Sequence, residues 1–172
     1  MSKFYSLGND RFVQVSDDND VFNLKIVELG SDYQQNIDFS AVSWLNLLSV
    51  LGQIDEAVNC LLNEEHVFVE ISIGRKTYVS LMTDYLFVDI REFYYSKTRR
   101  EVLATERGIS LTFAEWDTLK NIMSEVSTDF PILSSTVLCR DNPNHQNLQG
   151  ALNCQECNPF HYEEYYFFYH PI

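Results

Sequence analysis

Two clusters of residues have the types and spacing to do chemistry. The first is DIREFYYSKTRREV, Asp89 to Val102, where Arg91, Lys97, Arg99 and Arg100 sit among Phe93, Tyr94 and Tyr95. Guanidinium and ammonium groups track phosphates, and each ring stacked on an unpaired base is worth roughly 1–3 kcal/mol. Arg75, Lys76 and Arg107 extend the basic set, and Tyr78 extends the aromatic one. Tyr94 is the strongest stacking candidate, whereas Tyr78 and Phe93 equally suit sheet packing. The cations themselves also suit a solvated loop and an ordinary sheet surface. The second cluster is CRDNPNHQNLQGALNCQEC, with Cys139, His145, Cys154 and Cys157. Cys154-x2-Cys157 is half of a common zinc site, and Cys139 with His145, or His161 in its place, would close a tetrahedron. The other reading of these cysteines is free thiols in an irregular segment. No glycine-rich phosphate loop, HExxH motif or placed nucleophile accompanies Asp89 and Glu92, so no enzymatic activity is expected and no cofactor is required, a structural zinc being the one candidate.

The basic stretch is unusual for its context, because the 172-residue chain carries a formal charge of −13. The charge is uneven. Residues 1–66 hold three basic residues against eleven acids, while Arg75 to Arg107 hold seven basic residues against five acids. A local positive field can therefore survive on an acidic protein, shortened by salt. Hydrophobic residues make up 45% and aromatics 14%, enough for a packed core in one domain or two small units sharing one. No apolar run is long enough to span a bilayer, and MSKFYSLGND lacks a signal peptide's apolar core. The expectation is an intracellular, nuclear protein with no membrane partner. Its four cysteines would then serve as thiols or metal ligands rather than disulfides.

The elements that must position these residues occur twice. YSLGNDRFVQVS (Tyr5 to Ser16) aligns with ISIGRKTYVSLM (Ile71 to Met82), and NLKIVEL (Asn23 to Leu29) with FVDIREF (Phe87 to Phe93). IDFSAVSWLNLL (Ile37 to Leu48) aligns with ISLTFAEWDTLK (Ile109 to Lys120), pairing Trp44 with Trp116. The second copy has the longer connection before its helix. Val67, Val69, Ile71 and Ile73 alternate as a half-buried strand does, and Val79, Leu81, Val88 and Ile90 continue the core face. Strict alternation would bury Glu92, and a bulge there would bring Tyr94 beside Arg91. GISL (Gly108 to Leu111) reads as a last short strand. Thr112 and Glu115 have capping-box spacing ahead of a stripe of Trp116, Leu119, Met123 and Val126. Ser40 caps one helix whose wider stripe runs from Trp44 to Val58. Two such units, packed helix against helix, could bury what neither buries alone.

The string IGRKTYVS…LFVDIREFYYSKTRREVLATERGISLTFAEW resembles the C-terminal domain of the transcriptional coactivator positive cofactor four (p15) family over about residues 68–126. The first unit resembles it more loosely through LGNDRFVQV, LKIVEL and IDFSAVSWL. The resemblance implies an α+β, Whirly-like fold of the single-stranded-DNA-binding transcriptional regulators. Each unit would be a curved four-stranded antiparallel sheet with one helix, the two paired as an intrachain pseudo-dimer, with whole-chain homodimers also open. It also implies single-stranded DNA, or other unpaired nucleic acid, as ligand, and transcription or replication proteins as partners. Arg75, Arg91 and Arg107 match basic positions of the family motif, and Tyr94 stands at its stacking ring. In the first unit Arg11 keeps a base, but Asn9, Ser16, Val27 and Gly30 replace binding residues, and SDDND (Ser16 to Asp20) puts acids where the family carries lysines.

The expected organisation is a divergent repeat over 1–66, a well-matched repeat over 67–130, and an irregular extension over 131–172. Binding would rest on Arg75, Lys76, Tyr78, Arg91, Tyr94, Lys97, Arg99, Arg100 and Arg107. The alternative is an acidic protein-interaction module whose sheet no longer binds DNA. The two differ in whether Arg75, Arg91 and Arg107 share an open face or lie capped by acids. HYEEYYFFYHPI (His161 to Ile172) has carboxylates and rings that could mimic nucleic acid in the Arg91 groove.

Overall fold

A computed structural model describes residues 1–30 and 35–160. The acidic, aromatic segment from His161 lies outside the described residues, as does any role of His161 as a ligand. The first unit runs β1 (Ser2–Gly8), β2 (Arg11–Asp18), β3 (Val21–Glu28), β4 (Asn36–Ser40), α1 (Ala41–Ser49) and α2 (Leu51–Leu62). The second runs β5 (Phe68–Gly74), β6 (Thr77–Met82), β7 (Tyr85–Ser96), β8 (Glu101–Thr112) and α3 (Phe113–Asp129). Each set of four strands forms an open antiparallel sheet in sequence order, β1-β2-β3-β4 and β5-β6-β7-β8. The chain is thus a tandem α+β structure folded on itself as a pseudo-dimer.

Alternation sets the faces. Val13 and Val15, Leu24 and Ile26, Val79 and Leu81, and Val88 and Ile90 turn inward and are buried. They join Trp44 and Trp116, both fully buried, in one continuous core drawn from both units. Both helix entries are capped as expected. Ser40 accepts from the Ser43 N–H, Thr112 accepts from the Glu115 N–H, and each third residue bonds back to its cap.

Three features depart from expectation. The first helix is two: at Val50 the backbone leaves helical geometry (φ −107°, ψ 7°) and its N–H reaches Leu47 O as well as Leu48 O, tightening the turn before α2 begins. Each unit's helices also reach the other unit's sheet, α1 lying against β5 and α3 against β1, while the edge strands β4 and β8 run side by side. The helices meet at Asp55 of α2, which accepts from Trp116 Nε1 (3.0 Å) and Lys120 Nζ (2.9 Å) of α3. Finally, the basic connection is a long ribbon rather than a loop closed by a short strand. β7 and β8 stay paired out to Ser96 and Glu101, with a four-residue turn between them.

The seam between the units is also polar. Glu115, 3% exposed, accepts from Thr112 N (2.9 Å), Arg11 Nη1 (3.0 Å) and Asn9 Nδ2 (3.1 Å). The same Arg11 Nη1 donates to Ser110 O (2.7 Å), and its Nε and Nη2 donate to Glu28 (3.2 and 3.1 Å). At the other end of α3, Asp129 accepts from Tyr5 Oη (2.7 Å) and pairs with Lys3 (2.7 Å). Burial alone would raise the Glu115 pKa. The Thr112 amide, the Asn9 amide and the Arg11 guanidinium outweigh it and hold the carboxyl below its ordinary 4.5.

Gly108, opposite Arg91, is required by a close approach rather than by a special φ. A β-carbon there would lie 2.7 Å from Ile90 O and 2.9 Å from Arg91 Cα, both backbone atoms of the neighbouring strand.

Arg11→Ala, which strands the buried Glu115 charge, is expected to cost on the order of 3 kcal/mol in urea unfolding. A folded-state pKa below 4.5 means this contribution is complete above pH 4.5 and is lost as pH falls through the lower folded value. Glu115→Gln is therefore expected to lower stability at pH 7 and to flatten part of the acid-side decline, measured as unfolding midpoints from pH 7 down to pH 3. Gly108→Ala is expected to destabilise by about 1–3 kcal/mol, because neither backbone contact can yield without separating β7 from β8.

Candidate nucleic-acid interface

The alternation that buries Val88 and Ile90 turns Tyr85, Phe87, Asp89, Arg91 and Phe93 to the outer face of the second sheet. There they meet Tyr78, Ser80 and Met82 of β6 and Ser110 of β8. Two ring pairs flank the centre of this face, Tyr85 with Phe87 (centroids 5.5 Å apart) and Tyr78 with Phe93 (4.6 Å). Burial, with Glu70 nearby, keeps the Tyr78 phenol above its ordinary pKa of 10, so it stays a neutral donor.

Arg91 is rigidly held between the pairs. Its Nε and Nη2 donate to the two Asp89 oxygens (3.0 Å each), and Nη1 donates to the carbonyls of Thr105 and Glu106 (3.1 Å each). Ser110 Oγ donates to the same Asp89 carboxylate (2.7 Å). The guanidinium is a positioned, half-buried group whose charge is largely offset by its neighbour.

The irregularity anticipated in the strand at Glu92 lies on its partner. Arg91 pairs with Gly108 and Phe93 with Ala104, so Thr105, Glu106 and Arg107 all stand opposite Glu92. Thr105 Oγ1 closes this detour on Glu92 O (2.8 Å). Because β7 itself keeps strict alternation, Phe93 shares the face of Arg91. Tyr94 takes the opposite face, paired with Leu103 on the ribbon and 45% exposed. The expectation of Tyr94 beside Arg91 is thereby corrected.

The remaining basic residues fall in two further places. Arg75, Lys76 and Arg107 line a cleft with Asp38, Glu92 and Gln155. Arg75 follows Gly74, whose φ of +110° makes the turn. Arg75 donates from Nε to Glu156 Oε1 (2.9 Å) and from its backbone N–H to Glu156 O (2.7 Å). Arg107 pairs with Asp38 of β4, across the seam, and with Glu92 (3.3 Å). Lys97, Arg99 and Arg100 form the exposed turn at the ribbon tip, where Arg99 makes a long 3.9 Å contact with Glu101. The three sheet arginines therefore share no single open face, and each has a carboxylate partner.

Asp38 and Glu156, the partners of Arg107 and Arg75, left no signal in the sequence, since both meet their arginines across large sequence separations. Tyr85 and Phe87 were accessible to sequence reasoning, because they share parity with Asp89 and Arg91 in YLFVDIR.

The four candidate metal ligands come together. One ligand atom each from Cys139, His145, Cys154 and Cys157 lies within 4.8 Å of the others.

Residues 83–122 match the family model described as Transcriptional Coactivator p15 (PC4). A Caenorhabditis elegans protein named "Putative RNA polymerase II transcriptional coactivator" is 33% identical over 61 residues, 36% of this chain. The matched stretch spans 49%, about half, of that relative's length. No solved structure matches the chain at a significant level. Across β7, β8 and the first part of α3, the chain carries the sequence signature of the transcriptional coactivator p15 (PC4) family.

Proposed function

We propose that this protein binds unpaired nucleic acid, single-stranded DNA foremost, as a coactivator-type factor in transcription or replication, and that it does so through its second unit. The observation that carries this reading is the outer face of the second sheet. A fixed arginine is flanked there by the exposed Tyr85 with Phe87 and by Tyr78 lying on the buried Phe93, and all of these but Tyr78 of β6 fall within the β7–β8 segment that matches the coactivator family. Every base presents a π-face, so such a platform binds without reading sequence. The phosphates would run toward Lys97, Arg99 and Arg100, whose side chains are exposed at the ribbon tip. Arg75, Arg91 and Arg107 act in this reading as positioning charges. To meet a phosphate, each would have to exchange a carboxylate for it. The first unit completes the core and carries Lys25 and Asp38 paired on its outer face rather than a basic set.

One observation favours a second reading. All three sheet arginines are paired with acids, in a chain of net charge −13, which suits an acidic surface that docks a basic transcription or replication protein. The two readings separate in one titration, a fluorescently labelled mixed-sequence oligonucleotide at several salt concentrations. On the nucleic-acid reading, three tip cations give a log-affinity against log-salt slope near −2, at about −0.7 per neutralised phosphate. The triple variant Lys97→Ala, Arg99→Ala, Arg100→Ala then binds with a slope near zero. Tyr85→Ala with Phe87→Ala weakens binding by about 5- to 150-fold, one stacked base's worth, and leaves the slope in place. Absence of salt-dependent binding by the wild-type protein rejects the nucleic-acid reading in favour of the protein-docking one.

A further inference from the structure

Among the described residues beyond the second unit there is almost no hydrophobic means of holding a shape. The described extension is a series of single turns and short helices, α4 (Ile132–Ser135), two 3-10 turns (Cys139–Asp141 and Pro143–His145) and α5 (Leu148–Leu152). Phe130 and Leu133 are buried, but from Ser134 to Phe160 no described side chain is. A segment like this needs a cross-link to be ordered.

Two edges of the four-ligand cluster have the lengths of a zinc tetrahedron, and all its ligand atoms lie within 4.8 Å of one another. Zn–S bonds of about 2.3 Å and Zn–N bonds of about 2.0–2.1 Å at tetrahedral angles give S···S edges of about 3.8 Å and S···N edges of about 3.6 Å. Cys139 Sγ and Cys154 Sγ stand 3.9 Å apart, and Cys157 Sγ and His145 Nδ1 stand 3.6 Å apart. The sulfur separation is nearly twice a disulfide's S–S length of about 2.05 Å. The local backbone supports the same reading. The first 3-10 turn starts on Cys139 and the second ends on His145, so two ligands are presented at the corners of adjacent turns. Cys154 to Cys157 forms a tight turn closed by Asn158 N–H on Cys154 O (3.0 Å).

One of the two residues between the paired cysteines, Glu156, grips the second sheet. Glu156 accepts the Arg75 amide on its carbonyl and the Arg75 Nε on its carboxylate. A β-carbon on Gly74 would lie 3.3 Å from Glu156 Oε2 and 3.3 Å from Asn46 Nδ2, so the extension is seated closely on the β5–β6 turn. Asn46 of α1 in turn donates to Ile73 O (3.0 Å) in the same turn.

We propose that Cys139, His145, Cys154 and Cys157 bind one Zn²⁺, and that the ion clamps Glu156 onto Gly74–Arg75, locking the extension across the β5–β6 turn. Binding would release three thiol protons to solvent and leave a Cys₃His site of net charge −1, with no change of oxidation state. The proposal does not depend on nucleic-acid binding by the second sheet.

The test uses full-length protein purified under reducing agent. Elemental analysis is expected to find one zinc per chain, and Co²⁺ exchange to give the visible absorption of a tetrahedral thiolate site. Hydrogen exchange is then followed at the Arg75 amide. Chelation, or the double variant Cys154→Ser with Cys157→Ser, is expected to deprotect Arg75 by at least tenfold while Val13 and Val15 in β2 keep their protection. Chelating the wild-type chain supplies this readout even if the variant fails to fold. Retention of the metal by His145→Cys, which keeps four ligands, is a further expected result. Absence of bound zinc and of a cobalt spectrum overturns the site, as does a Cys139–Cys154 disulfide found by mass under the same conditions. Bound zinc with Arg75 exchange unchanged on chelation overturns the clamp.

Discussion

Glu115 holds a full negative charge at 3% exposure, and the satisfaction of that charge ties the two halves of the molecule together. Its donors come from three places: the helix's own cap at Thr112, and Asn9 and Arg11 of the other unit's first hairpin. The arginine that completes the site also donates to Ser110 O on β8, so one side chain fixes the seam, the entry of α3 and the last strand of the second sheet. A buried carboxylate left short of a donor would be strongly destabilising, so the arrangement admits little slippage between units. That constraint makes Arg11 a structural residue, although its place in the family motif suggested a phosphate contact.

The same seam governs the second sheet's chemistry. Because β4 lies beside β8, Asp38 of the first unit reaches Arg107 of the second. Because the extension folds back on the β5–β6 turn, Glu156 reaches Arg75. The acidity that looked like a separate property of the first repeat and the tail thus acts directly on the basic repeat. What stays exposed is a cationic ribbon tip and, on the aromatic sheet face that also carries the paired Arg91, the ring of Tyr85.

Much of the architecture was legible. The doubled pattern of Gly8/Gly74 and Trp44/Trp116, the alternation of Val79, Leu81, Val88 and Ile90, and the Thr112–Glu115 box all specify local conformation through short-range sterics and hydrogen bonds. The split of the first helix at Val50 was not legible, since apolar residues at helical spacing run unbroken through it. The detour at Thr105–Arg107 was assigned to the wrong strand, because periodicity reveals that pairing must slip near Glu92 and says nothing about which partner absorbs the extra residues.

By itself, then, the sequence determined which segments become strands and helices, which faces turn inward, and that four thiol and imidazole side chains lie close along the chain. These are properties of neighbours within a few residues, where backbone geometry dictates the outcome. Only the tertiary structure decided which carboxylate meets which arginine, that Phe93 rather than Tyr94 stands beside Arg91, and that Glu156 sits on Arg75. Those outcomes depend on how two sheets and an extension are set against one another. Electrostatic partners are chosen by distance in space, and residues such as Asp38 and Arg107, 69 positions apart, carry no mark of each other in the chain.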